Sequence, residues 1–192
     1  MLKISFNEQK DSYEICCNGF SWVNDGRKSF VSVRKKDSKK NKNLLFKSAK
    51  SKKTEYSDNK TVTKYSDFYL DGEKMPFTLV CTAEVVGDNE VIFSLNSENE
   101  TDYDIQGVFF PAPFNSKAKG NDSYHIDPMR QGFILPDFYL KNYFPTRYYT
   151  TVKRPIKAAD CYMPVWGRVC DGNAFTAIVE TPYDASFYSC YG

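Results

Sequence analysis

The only histidine of the chain, His125, stands two residues before an aspartate in the segment YHIDPM. Side chains alternate between the two faces of an extended segment, so His125 and Asp127 share a face. An imidazole beside a carboxylate can bind a metal ion or a polar ligand. A solvent-facing or structurally hydrogen-bonded pair explains the same residues without a ligand, and we favour that interpretation.

An arginine follows closely, in the segment DPMRQGF. Arg130 lies between Pro128 and Gly132, two residue types that indicate a tight connection. Its planar guanidinium group can donate hydrogen bonds to a ligand hydroxyl or carboxylate. A local salt bridge with Asp127 is the alternative that we favour.

The segment YMPVWG places ring-bearing side chains at alternate positions of a predicted strand, where Tyr162, Pro164 and Trp166 share one face. A tryptophan beside a tyrosine can stack on the apolar face of a sugar while polar side chains bind its hydroxyls. The alternative, which we favour for Trp166, is packing in the core. The candidate carbohydrate-binding residues are therefore Trp166, Arg130, Asp127, His125 and Tyr162.

Several kinds of chemistry find no support in the sequence. A Ser-His-Asp or Cys-His arrangement would have to use His125, and no G-x-S-x-G segment is present. Cys161 and Cys170 flank a predicted strand, but one histidine and no C-x-x-C pair make a zinc site improbable. Neither G-x-G-x-x-G nor a P-loop occurs. The sequence thus predicts no catalytic residue, no metal and no cofactor.

Composition favours a β protein of a single domain, residues 1–192. The chain has 15 Phe, 14 Tyr and 2 Trp, together 16% of its residues. Aromatic side chains suit pleated, half-buried surfaces. Nine Pro and ten Gly are spread along the chain and indicate short elements rather than long helices.

The positive charge is concentrated in one segment. Residues 34–64 contain twelve Lys or Arg and three Asp or Glu, a net charge of +9, whereas the rest of the chain carries −7. A basic segment can bind nucleic acid. Here the lysines stand among Ser and Asn, without a nucleic-acid-binding signature, so we predict solvated strands and no nucleic-acid partner.

Cysteine usage and the absence of targeting segments bear on localisation. Six cysteines would suggest disulfides in a small secreted protein. The N-terminal sequence has no apolar signal region, so we predict free thiols and a cytoplasmic protein. Three Asn-x-Ser/Thr tripeptides, at Asn59, Asn99 and Asn121, leave secretion open. No apolar run approaches the roughly 18 residues of a membrane span, and no membrane partner is predicted.

The pattern of residues predicts an all-β fold, a large antiparallel β-sandwich. In FTLVCTAEVV, residues 77–86, alternate positions form one apolar face, and a glycine turn leads into EVIFSLNSE. Further strands are predicted at 13–17, 21–24, 30–34, 61–70, 105–110, 132–136, 162–169 and 174–180. Turns are predicted at Asn18-Gly19, Asp25-Gly26 and Asp71-Gly72. No window of eleven or more residues keeps a capped helical stripe.

Three segments, in order, resemble the N-terminal domain of endo-α-N-acetylgalactosaminidase-like and related glycoside hydrolases. They are VFFPAPF (108–114), MRQGFILPDF (129–138) and YMPVWG…AFTAIVETPYDA (162–185). The resemblance covers residues 60–185. The chain departs from it at Val165, where an aromatic residue is common, and in its lysine-rich early region. The resemblance implies a galactose-mutarotase-like supersandwich, which in such enzymes precedes a (β/α)₈ barrel carrying the catalytic carboxylates.

From the resemblance we expect a non-catalytic N-terminal domain of a carbohydrate-active enzyme. It would support the barrel and lend Asp127, Arg130 and Trp166 to the rim of a sugar site. A stand-alone carbohydrate-binding module is one alternative, and an aldose-epimerase-like enzyme using His125 as its acid is another. A domain separated from its barrel is expected to expose an apolar patch larger than a few hundred Å² on one face.

Overall fold

The computed structural model describes residues 1–112, 114–116, 123–127, 133–136, 156–157, 165–178 and 186–187. They belong to two compact units, Met1–Lys117 and Ala118–Gly192. Every strand pairing among the described residues is antiparallel. The predicted all-β, sandwich-like fold is confirmed, while the single domain over 1–192 stays a prediction.

The first unit contains thirteen strands among its described residues. They are β1 Leu2–Asn7, β2 Ser12–Cys17, β3 Phe20–Asn24, β4 Phe30–Lys35, β5 Lys42–Leu45, β6 Ser51–Ser57, β7 Lys60–Ser66, β8 Phe68–Leu70, β9 Glu73–Met75, β10 Phe77–Val86, β11 Glu90–Asn99, β12 Tyr103–Phe109 and β13 Phe114–Ser116. Two short 3-10 helices, Gly26–Lys28 and Phe46–Ser48, connect them.

These strands form three sheets and one hairpin. The first sheet has the order β1-β2-β3-β13, the second β11-β10-β7-β6 and the third β12-β4-β5, while β8 and β9 pair with each other. The predicted pairing of residues 77–86 with the strand that follows is confirmed, with Cys81 opposite Leu95 at its centre.

Aromatic and branched side chains join the sheets of the first unit. The rings of Tyr13 on the first sheet and Phe93 on the second meet edge to face at a centroid distance of 5.2 Å. Val31 and Val33 of the third sheet lie in one buried cluster with Leu79 and Cys81 of the second. The inner face of the second sheet is thus covered from two sides, which explains the strict alternation of β10.

Two predictions of local structure were wrong. Residues 61–70 form two strands rather than one, because Asp67 takes a left-handed conformation (φ 57°) between β7 and β8. Asp25-Gly26 does not form a hairpin turn, because Gly26 begins a 3-10 helix and β3 and β4 lie in different sheets. The turns at Asn18-Gly19 and Asp71-Gly72 are confirmed by their left-handed residues.

The second unit has six strands among its described residues. They are β14 Ser123–Asp127, β15 Phe133–Pro136, β16 Ile156–Lys157, β17 Val165–Cys170, β18 Asn173–Ile178 and β19 Ser186–Phe187. Four of them form a sheet of order β15-β14-β17-β18, and β16 pairs with β19. The sequence CDGN (170–173) lies between the predicted strands 162–169 and 174–180 and predicts that they form a hairpin. This hairpin is confirmed: β17 and β18 are joined by Asp171-Gly172, both in the left-handed region.

The two helices of the described residues are single turns, and within this part of the chain no helix is long and apolar enough to cross a membrane.

Candidate functional site

The four-stranded sheet of the second unit brings two of the predicted site residues together. His125 lies on β14 directly opposite Arg168 on β17, which in turn lies opposite Phe175 on β18. Trp166 is two residues from Arg168 and therefore shares its face. We call this side of the sheet the His125 face, formed by His125, Trp166, Arg168, Cys170 and Phe175.

The rings on the His125 face lie close together. The Trp166 ring centroid lies 6.5 Å from that of His125 and 6.4 Å from that of Phe175, the latter pair edge to face. Cys170 is fully buried on the same face, and the Nδ1 atom of His125 and the Nε atom of Arg168 are withdrawn from solvent. The Trp166 indole is half-buried, and its Nε1–H is buried without a hydrogen bond to any of the described residues. A ring held in this way is packed against its neighbours, while the exposed part of its surface is what a sugar would contact.

The side chains of the other three predicted residues are not among those that the structure describes. Asp127 ends β14, where its backbone pairs with that of Phe133, and its side chain lies outside the described residues. Arg130 and Tyr162 also lie outside the described residues. A carbohydrate role for the five predicted residues stays a prediction.

Within the described ranges, no group of three or more His, Cys, Asp or Glu side chains is arranged to hold a metal ion. The Cys170 thiol lies 3.9 Å from the Asp171 carboxylate.

The opposite side of the same sheet is largely apolar, half-buried at its centre and exposed on its two outer strands. We call it the apolar face, and it is formed by Tyr124, Ile126, Ile134, Val165, Val169 and Ile178. Ile134 and Ile178, on the two outer strands, are each 67% exposed. Ile126 lies opposite Ile134, and Val165 lies opposite Ile178, so apolar side chains run across the width of the sheet.

A glycine, Gly167, lies in the middle of the apolar face and keeps its surface flat. Gly167 lies opposite both Ile126 and Thr176. A Cβ atom at this position would come within 3.1 Å of the Ile126 Cδ1 atom and 3.3 Å of the Thr176 Cγ2 atom. These two side chains therefore close over the glycine, and a larger residue would push them outward.

A buried charge distinguishes the first unit. Asp11 is 7% exposed and directly precedes β2. Its carboxylate accepts hydrogen bonds from the Lys52 ammonium at 3.0 Å and from the Tyr65 hydroxyl at 3.1 Å. It thus ties the start of β2 to β6 and β7, and the sequence contains no signal that would have predicted this contact.

Burial also shifts the acidity of groups near Asp11. The pKa of the Tyr65 hydroxyl lies well above its usual value, first because of burial and then because of the negative charge of Asp11. Burial raises the pKa of the Tyr13 hydroxyl and of the Cys81 thiol in the same direction. Thr63 is near the Tyr13 hydroxyl but outside hydrogen-bonding geometry, so burial decides the direction. These groups stay protonated at neutral pH and act as packing groups rather than as bases.

No protein-family model matches the chain, and neither does the sequence of any curated protein. Solved structures do match. One is the α-N-acetylgalactosaminidase NagBb from Bifidobacterium bifidum in complex with GalNAc, with a TM-score of 0.64 and 19% identity over 95% of this chain and 29% of that chain. The ligand-free form of the same enzyme matches with a TM-score of 0.63 and 19% identity, over 93% of this chain and 27% of that one.

The chain thus spans 29% of the length of the first of these structures. A sequence identity of 19% supports a conclusion about the fold alone. This chain and part of an α-N-acetylgalactosaminidase share one fold.

Proposed function

We propose that the chain is a non-catalytic N-terminal domain of a longer glycoside hydrolase, which supports a following (β/α)₈ catalytic barrel and contacts carbohydrate. The observation that carries the proposal is the coverage of the structural match: 95% of this chain accounts for 29% of a glycoside hydrolase. A chain whose fold corresponds to part of such an enzyme supports the proposal that it is one domain of a longer protein.

The chemistry of the predicted site agrees with a supporting role. Cleavage of a glycosidic bond needs two carboxyl groups, about 5–9.5 Å apart across the scissile bond. The five predicted site residues include a single carboxylate, that of Asp127. We propose that the catalytic pair comes from another part of the protein.

The apolar face is the proposed docking surface for the barrel. Exposed apolar patches on soluble domains mark surfaces that are covered by a partner. Burying an exposed Ile side chain contributes roughly 1.5–3 kcal/mol, so Ile134 and Ile178 alone offer a substantial driving force. The level surface over Gly167 suits the broad, even contact that a packed helix makes with a sheet.

We further propose a cytoplasmic location, which the thiols support. Cys16, Cys17 and Cys81 are free in the structure, as in proteins of reducing compartments.

A double substitution tests the docking surface. In the longer protein, Ile134→Lys with Ile178→Lys is expected to lower the free energy of unfolding by about 3 kcal/mol or more, since two charges would enter an apolar interface. In the 192-residue chain the same change is expected to cost less than about 0.5 kcal/mol per site. Urea denaturation of both proteins measures the difference.

The matched control is Val86→Lys with Ile92→Lys, which changes two residues of the second sheet that are 40% and 45% exposed. Equal effects of the two double variants in the longer protein would contradict docking at the apolar face. A gene whose reading frame has no barrel sequence beyond codon 192 would overturn the proposed function itself.

Titration with a panel of mono- and oligosaccharides tests the carbohydrate contact. We expect the 192-residue chain to release no sugar from α-N-acetylgalactosaminides. If Trp166 contacts the sugar, Trp166→Ala is expected to weaken binding by about tenfold, because burying the apolar face of a sugar on the indole ring contributes roughly 1–2 kcal/mol. Tryptophan fluorescence and calorimetry measure binding, and a reducing-sugar assay measures release.

Each alternative function has its own outcome in this titration. Saturable, Trp166-dependent binding by a protein without a barrel would favour the stand-alone binding module. Mutarotation of a free sugar that disappears in His125→Ala would favour the epimerase. Hydrolysis by the 192-residue chain would contradict the non-catalytic role.

A further inference from the structure

The first sheet carries a polar pocket on the side that faces away from the core. The pocket has a volume of about 340 Å³ and is lined by Ser5, Phe6, Asn7, Lys10, Ser12, Glu14 and Val23. Strand register explains how these residues meet. Glu14 lies opposite Ser5 on β1 and opposite Val23 on β3, while Asn7 lies opposite Ser12. Their neighbours in sequence, such as Phe6, Tyr13 and Ile15, point into the core.

Part of this polar lining is not used by the protein itself. Ser12 is only 7% exposed, and within the described part of the chain its hydroxyl makes no hydrogen bond. The Asn7 carboxamide oxygen accepts the backbone N–H groups of Gln9 at 3.1 Å and Lys10 at 3.0 Å, which fixes the side chain at the pocket rim. The Ser12 hydroxyl is not sealed from water, so a ligand group can replace the water that reaches it in the pocket.

The mixture of groups narrows the class of ligand. Two hydroxyls, one carboxamide, one carboxylate and one ammonium group offer both donors and acceptors, and Phe6 and Val23 add apolar surface. Glu14 disfavours a multiply charged anion, and the polar lining disfavours an apolar molecule. A volume of about 340 Å³ lies at the low end of the roughly 300–1,000 Å³ of small-molecule sites, which suits a ligand of one ring.

We propose that this pocket binds a single polyhydroxylated ring, one monosaccharide unit, at a site separate from Trp166. The proposal rests on the proposed function for its choice of carbohydrate among small polar ligands. The first unit then contributes its own sugar contact, and the carbohydrate role does not depend on the His125 face.

Affinity at such a site is expected to be low. The pocket lining offers hydrogen bonds, each of which replaces one to water. Its one aromatic residue, Phe6, is only 8% exposed and packs against Tyr13, so it offers little ring surface for a sugar to stack on. We expect a dissociation constant on the order of 1 mM. Binding of this strength is useful where a second contact on the same glycan raises the effective concentration.

The test is a ¹H–¹⁵N NMR titration of the 192-residue chain with galactose, N-acetylgalactosamine, glucose and, as an acyclic polyol, sorbitol. We expect the amide signals of β1 and of residues 10–14 to shift with at least one cyclic sugar and not with sorbitol. Ser12→Val narrows the pocket and removes the hydroxyl that lines it, and Glu14→Gln removes the carboxylate charge while keeping the side-chain shape. Each is expected to weaken binding by at least about fivefold.

Ser94→Val and Glu98→Gln serve as matched controls, because both residues are exposed on the second sheet. They are expected to leave the titration unchanged. Absence of shifts in β1 and β2, equal shifts with sorbitol, or equal effects of control and pocket variants would each overturn the proposal. The amide spectra of the variants also report whether each one folds.

The outcomes separate this inference from the proposed function. Sugar-induced shifts confined to β17 would overturn the pocket and leave the glycoside hydrolase domain standing. Shifts in β1 and β2 from a gene that encodes no barrel would support the pocket and overturn the proposed function.

Discussion

The Gly26→Ala variant is expected not to fold at 25 °C. Gly26 is buried at the start of a 3-10 helix, in contact with the backbone that leads into β2. A Cβ atom on Gly26 would overlap the carbonyl oxygen and carbon of Asp11. Either the helix or the β1–β2 hairpin would have to move, and both are held in place.

The position of Asp11 cannot relax at low cost. Its backbone is in the left-handed region, with φ 48°, and its carboxylate is bonded to Lys52 and Tyr65. Retreat from a new methyl group would break these bonds and leave a buried carboxylate without partners. Separating a buried, paired charge costs about 3–5 kcal/mol, which is comparable to the total stability of many domains.

Gly107→Ala is the matched control, because nothing lies within 4 Å of a Cβ atom at Gly107 on β12. That variant is expected to stay within about 0.5 kcal/mol of the parent. Circular dichroism and urea denaturation measure both variants. A Gly26→Ala protein that unfolds at the parent's urea concentration would contradict the close approach of Gly26 to Asp11.

The parts of the fold that were predictable share one property, a single covered face. In β10 the residues Phe77, Leu79, Cys81 and Ala83 are buried while those between them are half-buried, so alternation in the sequence is enough to identify the strand. The closing hairpin at Asp171-Gly172 was predictable for a similar reason, since a turn signal separates two apolar runs.

The two wrong predictions of local structure concern residues whose conformation the local sequence pattern does not reveal. Asp25-Gly26 has the local signature of a hairpin turn, but Gly26 is required because Asp11 packs against it. Nothing in the local sequence distinguishes these two uses of glycine. Asp67 interrupts the predicted strand 61–70 through its backbone conformation, which the alternation of side chains does not report.

In the candidate sites, too, residue types could be read from the local sequence, whereas their grouping in space could not. His125 and Trp166 were selected one at a time from local motifs, and only the register of β14 against β17 brings them to one face. The pocket of the first sheet escaped sequence analysis because Ser5, Ser12 and Glu14 are unremarkable residues until three strands pair. Pairing across strands, rather than residue type, creates that site.

Alkaline pH is expected to unfold the first unit. Cys81, Tyr13 and Tyr65 have raised pKa values in the folded state, in each case chiefly because of burial. Their ordinary values are 9.0 for the thiol and 10.0 for the hydroxyls. Above these values the unfolded chain releases protons that the folded chain retains, so the unfolded state is favoured increasingly. The stabilisation is therefore complete below about pH 9 and declines as pH rises further.

The loss of stability at alkaline pH depends on how many buried groups titrate. Each contributes a loss of about 1.4 kcal/mol per pH unit once its unfolded pKa is passed. Between pH 9 and 11 the thiol accounts for about 3 kcal/mol and the two hydroxyls together for about 3 kcal/mol more. A total near 6 kcal/mol matches the whole stability of many domains, so unfolding near pH 11 is expected.

A tryptophan reporter confines this measurement to the first unit. The chain has 2 Trp, Trp22 in the first unit and Trp166 in the second, so in a Trp166→Phe background Trp22 fluorescence follows the first unit alone. Urea midpoints are measured from pH 7 to 11 under reducing conditions.

Cys81→Ala and Tyr65→Phe are expected to lower stability at pH 7, the first by leaving a cavity and the second by removing a hydrogen bond to Asp11. Each should nevertheless flatten the alkaline decline by about 1.4 kcal/mol per pH unit, whereas Tyr69→Phe, at a site 46% exposed, should leave it unchanged. An equally steep decline in all three variants would show that ionisation of the buried groups does not drive the alkaline transition, because removing a titrating group removes its proton from the balance.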